Sequence, residues 1–426
     1  MDPATLFVLV LVVAAALAFD FTNGFHDTAN AMATSIATGA LKPRTAVIAA
    51  GTLNLVGAFL STEVAKTISG GIINEQEVTI SAAFVLAGLV GAIIWNLLTW
   101  LAGLPSSSSH ALFGGLVGAV IVGAGVQGVN FGAVVGKVLL PALVSPVIAG
   151  AVSYAAVKLV YRIVRSVDSR KVEVGFRHGQ TVTACLVALS HGTNDAQKTM
   201  GIITLALCSA GLQEPGSGPQ AWVVLVCGTA IALGTYTGGW RVIRTLGKGL
   251  TDIQTPQGFA AECSSAATIL VSSHLGFPLS TTQVCTGSIV GSGLGRGTPV
   301  NWTTAGRMLA AWLVTFPAAG LAGAAACALA RLGVGGVAAM LAITVVIALA
   351  IFRAARRDPV NAGNVNDSRE AATTGTGDAT ASDGADRGAD HGDGGVDGGA
   401  RNAGSAAGAT GPAAAATSPR SEAVGR

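Results

Sequence analysis

Two short stretches concentrate the polar chemistry of this chain. "NGFHDTANA" (residues 23–31) and "HGTNDAQKTMG" (residues 191–201) each set one aspartate, Asp27 or Asp195, among amides, hydroxyls and histidine inside an apolar run. An ionised carboxylate in the middle of a bilayer costs at least a few kcal/mol. It persists where it faces a cavity, a partner or an ion. The glycines Gly24, Gly192 and Gly201 predict an interrupted helix at each stretch. Freed carbonyls, together with Asp27, Asn30, Asn194 and Asp195, would then hold a small hard cation, with His26 as a further ligand position. A single stretch of this kind is equally well explained as a polar helix–helix contact. Two stretches at matched positions favour a site.

A second pair of stretches suits the opposite charge. "LPSSSSHALFG" (104–114) and "FPLSTTQVCTG" (277–287) each run from a proline through consecutive hydroxyls into an apolar, glycine-containing segment. Ser and Thr satisfy the orphan N–H groups of a helix start, and such a start attracts anions through those groups and the helix dipole. Two starts pointing at each other would cradle a tetrahedral anion between Ser107, Ser108, Ser109, Ser280, Thr281 and Thr282. Simple capping explains either run taken alone. Lys198 lies three positions after Asp195, on the same helix face. It serves either as a structural partner of the carboxylate or as a contact to the anion. His110 and Gln283 end the two hydroxyl runs, and His110 is either a pH-sensitive ligand or a packing residue. Glu63 and Glu262 lie at or inside apolar segments, where a cation relay and a satisfied polar contact are both open.

The elements that must position these residues are membrane helices. Of 426 residues, 51% are hydrophobic and 11% are charged, against about 25% charged in an ordinary soluble domain. Runs such as "LFVLVLVVAAALAF" and "ISAAFVLAGLVGAIIWNLLTWLAG" approach or reach the roughly 20 apolar residues that cross a bilayer. The net charge of +3 shows no nucleic-acid-binding patch, and the six cysteines are scattered without a metal or disulfide framework. No complete nucleophile–base or metal-ligand set is visible. The expectation is therefore a non-enzyme with no cofactor and no tightly bound metal. The first apolar run lacks a basic leader and a cleavage site, so it reads as the first membrane helix.

Composition divides the chain into an apolar region 1–161, a basic polar linker 162–178, expected to be cytoplasmic, a second apolar region 179–352 and a polar tail 353–426 expected to be disordered. The two apolar regions look like copies. Residues 21–34 align with 189–202, 64–72 with 242–250, and 104–114 with 277–287, in the same order at offsets of 168, 178 and 173. Lys and Arg, which favour cytoplasmic loops, cluster so that the two copies take opposite orientations. Inverted repeats are a common plan of secondary transporters. The expected fold is an all-α polytopic membrane protein of two inverted repeats, with broken helices and two re-entrant helical hairpins.

These duplicated signatures resemble the inorganic phosphate transporters of the PiT type, over roughly residues 1–352. The resemblance implies a cation:phosphate symporter with inverted repeats and re-entrant hairpins, working by alternating access in the cell membrane as a multi-pass protein. It implies that Asp27 and Asp195 form the central site with Asn30, Asn194 and Gln197, and that the six hydroxyls surround phosphate. The first signature has His26 where many members have Asn, and the second hairpin ends in Gln283 where His is common. His at the first position is similar to bacterial members that couple to protons or carry metal–phosphate complexes, so the co-transported cation is a proton or sodium. A symporter of sulfate or another tetrahedral oxyanion would use the same cradle, and an anion channel is a more distant alternative. Expected partners are inorganic phosphate, the lipid bilayer and a second copy as a candidate homodimer, with no nucleic acid.

Overall fold

A computed structural model describes residues 3–73, 81–214 and 216–367. Residues 74–80, with Glu75 and Glu77, lie outside the described residues, as does the tail from 368 onward. Every regular element among the described residues is helical.

The element order repeats, as the duplicated signatures predict. The first half contains α1 (Pro3–Ala37), α2 (Pro43–Gly57), α3 (Glu63–Ser69), α4 (Ala82–Leu101) and α5 (Ser108–Ala124). It closes with the short α6 (Phe131–Ala133), a π-helical stretch (Val134–Leu139) and α7 (Leu140–Ile163). The second half contains α8 (Ser169–Ser209), α9 (Ala221–Thr237), α10 (Trp240–Lys248), α11 (Thr255–His274), α12 (Thr281–Arg296) and α13 (Trp302–Ala330), and α14 (Val334–Ala355) follows. Even the isolated β-bridges are duplicated, Ile73 with Val129 and Thr251 with Val300.

The halves are intertwined rather than side by side. α1 packs on α9 while α8 packs on α2, and α13 packs on the α4–α5 hairpin while α7 packs on the α11–α12 hairpin. Glycine makes the crossings close. A Cβ at Gly24 would lie 2.3 Å from the Ile231 carbonyl oxygen, and one at its duplicate Gly192 would lie 2.2 Å from that of Asn54. Small residues at such crossings are the usual device of membrane helix packing.

That packing corrects one expectation. The aspartate stretches do not interrupt their helices: α1 and α8 run unbroken through 23–31 and 191–201. Gly24 and Gly192 are there because a neighbouring backbone occupies the space of a side chain, not because the helix ends. The break lies elsewhere, between α9 and α10, which are bent by 69° at Gly238, whose φ of 76° suits glycine.

Among the described residues, five helices are long and apolar enough to cross a membrane, and the bent α9–α10 pair is a sixth candidate. Their outer faces carry bare apolar side chains, such as Val147, Leu321 and Val334. α8 fails the same test of composition because its central turns are polar and buried in protein. The polar segment 162–178 is largely helical, since α8 already begins at Ser169. The polar tail starts later than composition suggests. Residues 353–355 complete α14, and the next residues fold back on α10, where Arg241 donates to the carbonyls of Ala355 and Asp358 and Arg244 to that of Asn364.

Candidate functional site

Both hydroxyl runs are helix starts. Ser107 caps α5 by accepting from the His110 N–H at 3.2 Å, and Ser280 caps α12 by accepting from the Gln283 N–H at 3.4 Å. The tip before α5 is pinned by Trp312 on α13, whose Nε1 donates to the Pro105 carbonyl at 2.9 Å. Each cap leaves the following two hydroxyls free to reach the middle of α1 and α8.

There they meet both aspartates. Ser108 donates to Asp27 Oδ2 at 2.8 Å, and its duplicate Thr281 donates to Asp195 Oδ2 at 3.2 Å. Thr282 donates to Asp27 Oδ1 at 3.4 Å and accepts from Asn30 Nδ2 at 3.0 Å. Lys198 Nζ donates to Asp195 Oδ1 at 2.5 Å, to Ser109 Oγ at 2.6 Å and to the Leu279 carbonyl at 2.8 Å. His26 Nδ1 lies 2.6 Å from Asp27 Oδ1. Asp27, Asp195 and Lys198 are all buried, so these bonds form where the local dielectric is low and each one is strong.

Two residues join the site that sequence pattern alone passes over. His191 Nε2 lies 3.1 Å from Asp195 Oδ2, and Asn23 Nδ2 donates to the same oxygen at 3.3 Å. Asn23 and His191 are duplicates of one another in the repeat alignment, and that is the signal that could have found them. One ligand atom each from Asp27, His191 and Asp195 falls within a 4.8 Å cluster. Two carboxylates and an imidazole at that spacing suit a small cation.

The remaining expected residues make other contacts. Gln197 Oε1 accepts from the backbone N–H groups of Val64 and Ala65 at 2.8 and 3.3 Å, and so caps α3. Asn194 Nδ2 donates to Ser273 Oγ at 2.8 Å, at the end of α11. His110 turns its Nδ1 to Ser107 Oγ, 2.6 Å away. The side-chain carbonyl of Gln283 is buried without a partner. Glu262 is buried in a group of its own, accepting from Thr34 and Thr183 at 2.5 Å each and from Gln180 at 3.1 Å. Glu63 is half-exposed and paired with Lys66 at 2.7 Å.

A family model described as "Phosphate transporter family" matches residues 23–170 and 164–323, one match in each half. The chain belongs to the phosphate transporter family. A protein of Mycobacterium bovis named "Probable low-affinity inorganic phosphate transporter" is 56% identical over 365 residues, which is 85% of this chain and 87% of that protein. A Bacillus subtilis protein of the same name is 45% identical over 327 residues, 75% of this chain and 96% of its own length. A solved structure described as "The sodium-dependent phosphate transporter" superposes with a TM-score of 0.70 at 25% identity, covering 76% of this chain and 99% of that one. This member of the family is an all-α membrane protein, and its polar centre joins the stretches that the family model covers twice.

Proposed function

We propose that this transporter is an inorganic phosphate:cation symporter of the cell membrane, working by alternating access between inverted repeats. The observation that carries the reading is that the two hydroxyl-bearing helix starts share hydrogen bonds with both aspartate motifs. Anion cradle and carboxylates are therefore one site. The crosswise packing of α1 on α9 and α8 on α2 supports a two-fold relation between the repeats.

Coupling follows from charge. A phosphate held by Ser108, Ser109, Thr281 and Thr282 stands beside Asp27 and Asp195. Two unit charges about 5 Å apart repel by about 3 kcal/mol at an effective dielectric of about 20. Lys198 offsets one carboxylate and leaves the other. A cation within reach of Asp27, His191 and Asp195 removes the remaining repulsion, so anion and cation bind each other's site more tightly, as linkage requires. A half-loaded site keeps an uncompensated buried charge, which resists reorientation through the low-dielectric interior. The sodium-dependent transporter of similar fold supports this direction. Hydroxyls and backbone N–H groups hold the anion without a fixed excess of positive charge, so it can leave on the other side.

Uptake of labelled phosphate into proteoliposomes tests the reading. It should require an inward gradient of sodium or protons and collapse in Asp27→Asn and Asp195→Asn. Uptake that persists in both variants, or that ignores every cation gradient, sinks the symporter. Stronger competition by sulfate than by unlabelled phosphate would reassign the substrate.

A further inference from the structure

The sequence of α10, "WRVIRTLGK", divides between two faces. Val242, Ile243, Leu246 and Gly247 are buried, and the helix packs on α1. Arg241, Arg244 and Lys248 recur at helical spacing on the other face. They line a cavity of about 420 Å³, together with Arg307 of α13 and with Asp358 and Asp367 of the segment that follows α14. That segment is held in place. Val365 is buried, and Asn366 Nδ2 donates to the Ile36 carbonyl at 3.5 Å. Arg241 Nη2 donates to the Ala355 carbonyl at 2.9 Å, and Arg244 Nη2 to that of Asn364 at 2.7 Å. No residue of the aspartate cluster lines this cavity.

Four cations and two carboxylates line it. Arg241 takes one of the carboxylates, Asp358, at 3.8 Å. Among the described residues, neither Lys248 nor Arg307 forms an ion pair. Arg244 Nε is buried without a hydrogen-bond partner, and a buried N–H of that kind calls for an explanation. We propose that the cavity binds a phosphomonoester, either a soluble molecule or a lipid headgroup. Three features carry the proposal. The first is charge. The surplus of two positive charges meets the charge of about −1.5 to −2 that a phosphomonoester carries at pH 7. The second is donor chemistry, since guanidinium forks match phosphate oxygens and Arg244 keeps one N–H unspent. The third is size. A cavity of about 420 Å³ lies within the range of about 300–1,000 Å³ of small-molecule pockets, so an organic group on the phosphate has room. Clustered Lys and Arg assign this end to the cytoplasm. A bound anion ties the segment after α14 to α10 and α13. Because α10 packs on α1, which carries Asp27, the ligand bears on a neighbour of the central site.

The test is calorimetric titration of glycerol 3-phosphate into the full-length protein in phosphatidylcholine nanodiscs, at low salt, where charge contacts are least screened. The wild type should bind one molecule per chain. Lys248→Gln and Arg307→Gln should each weaken binding about tenfold, the effect of one lost charge-assisted hydrogen bond. Both side chains are exposed, so neither substitution disturbs packing, and Lys248→Arg should retain binding. A parallel series replaces part of the lipid by phosphatidic acid, which carries the same glycerol phosphate group. Saturable heat that the double variant Lys248→Gln/Arg307→Gln loses assigns a soluble ligand. Absence of that heat, with a Tm raised by phosphatidic acid in the wild type but not in the double variant, assigns a lipid headgroup. No response in either series, or a response that the double variant keeps, overturns the site and leaves its basic residues as interface charges. The symport reading stands or falls separately, on phosphate uptake.

Discussion

Lys198 donates to Ser109 at 2.6 Å across the boundary between the two halves, and the duplicated positions make the same contact in the opposite sense, Asn30 donating to Thr282 at 3.0 Å. The contacts are equivalent in place but not in charge. In the second half the cation is built into the protein, and Asp195 is neutralised by Lys198 at 2.5 Å. In the first half Asn30 brings no charge, and Asp27 has His26 beside it instead. The two halves thus hold their aspartates differently, Asp195 against a lysine and Asp27 against a histidine.

Breaking the fixed pair should be costly. Lys198→Met leaves Asp195 buried without its cation, and removing one partner of such a pair typically destabilises by about 3–5 kcal/mol. Thermal unfolding of the purified variant should show a large fall in Tm. The double variant Lys198→Met/Asp195→Leu removes both charges and should recover most of the lost stability. Phosphate uptake should be absent from both. A single variant as stable as the wild type would contradict the pair's role in holding the core together.

The helix crossings make a second expectation. Ala at Gly24 or Gly192 would put a Cβ 2.3 or 2.2 Å from a carbonyl oxygen of the opposing backbone, and backbone cannot step aside as a side chain can. Overpacking of this kind costs about 1–3 kcal/mol, occasionally more. Gly175, in the exposed first turns of α8, has nothing within 4 Å of its Cβ position. Gly175→Ala should therefore stabilise, by up to about 1 kcal/mol. Melting curves of the three variants should rank in that order, with the two crossing variants lowest.

The same glycines mark the boundary of what was legible. Asp27, Asp195 and the hydroxyl runs could be found because duplication repeats residue types, and a repeated polar residue in an apolar run has few structural excuses. Helix starts at Ser108 and Thr281 follow from proline and hydroxyl chemistry that acts within a few residues. The path of α1 and α8 through Gly24 and Gly192 depends instead on what lies across the helix. A glycine that admits a neighbouring backbone and a glycine that ends a helix are the same letter. Gln197 and Asn194 show the same limit. Both stand in the right motif, yet on a helix face that turns to α3 and the end of α11. His191 and Asn23 were present in the motif, but an imidazole and an amide declare a role only once the carboxylate they reach is known.

The two outlying glutamates should separate by burial. Glu63 and its partner Lys66 are about half-exposed, and exposed pairs contribute about 0–1 kcal/mol. Glu63→Gln should leave Tm and uptake close to wild type. Glu262 accepts from three donors in a fully enclosed group. Glu262→Gln replaces one acceptor oxygen by an amino group facing a hydroxyl or amide donor, an unsatisfied contact worth about 1–3 kcal/mol. Its Tm should fall while sodium dependence and the phosphate KM stay unchanged, because the group does not touch the aspartate cluster. A changed cation stoichiometry in Glu262→Gln would show instead that the residue lies on the cation path.

Capping and binding can be told apart within a single hydroxyl run. Ser280 spends its side-chain oxygen on the Gln283 N–H, so Ser280→Ala removes an N-cap and should cost about 1 kcal/mol of stability. Thr282, two residues on, spends its hydroxyl on Asn30 and Asp27 and caps nothing. Thr282→Val keeps the volume and removes only the polar group, so Tm should change little. If the hydroxyl contacts the anion, the phosphate KM for uptake should rise at least about tenfold, the effect of losing one hydrogen bond of about 1.4 kcal/mol to a charged ligand. The cap variant should show the opposite split, a lower Tm with a KM within about threefold of wild type. If the two variants behave alike in both measurements, the hydroxyl run is a helix start and nothing more, and the anion must be held elsewhere.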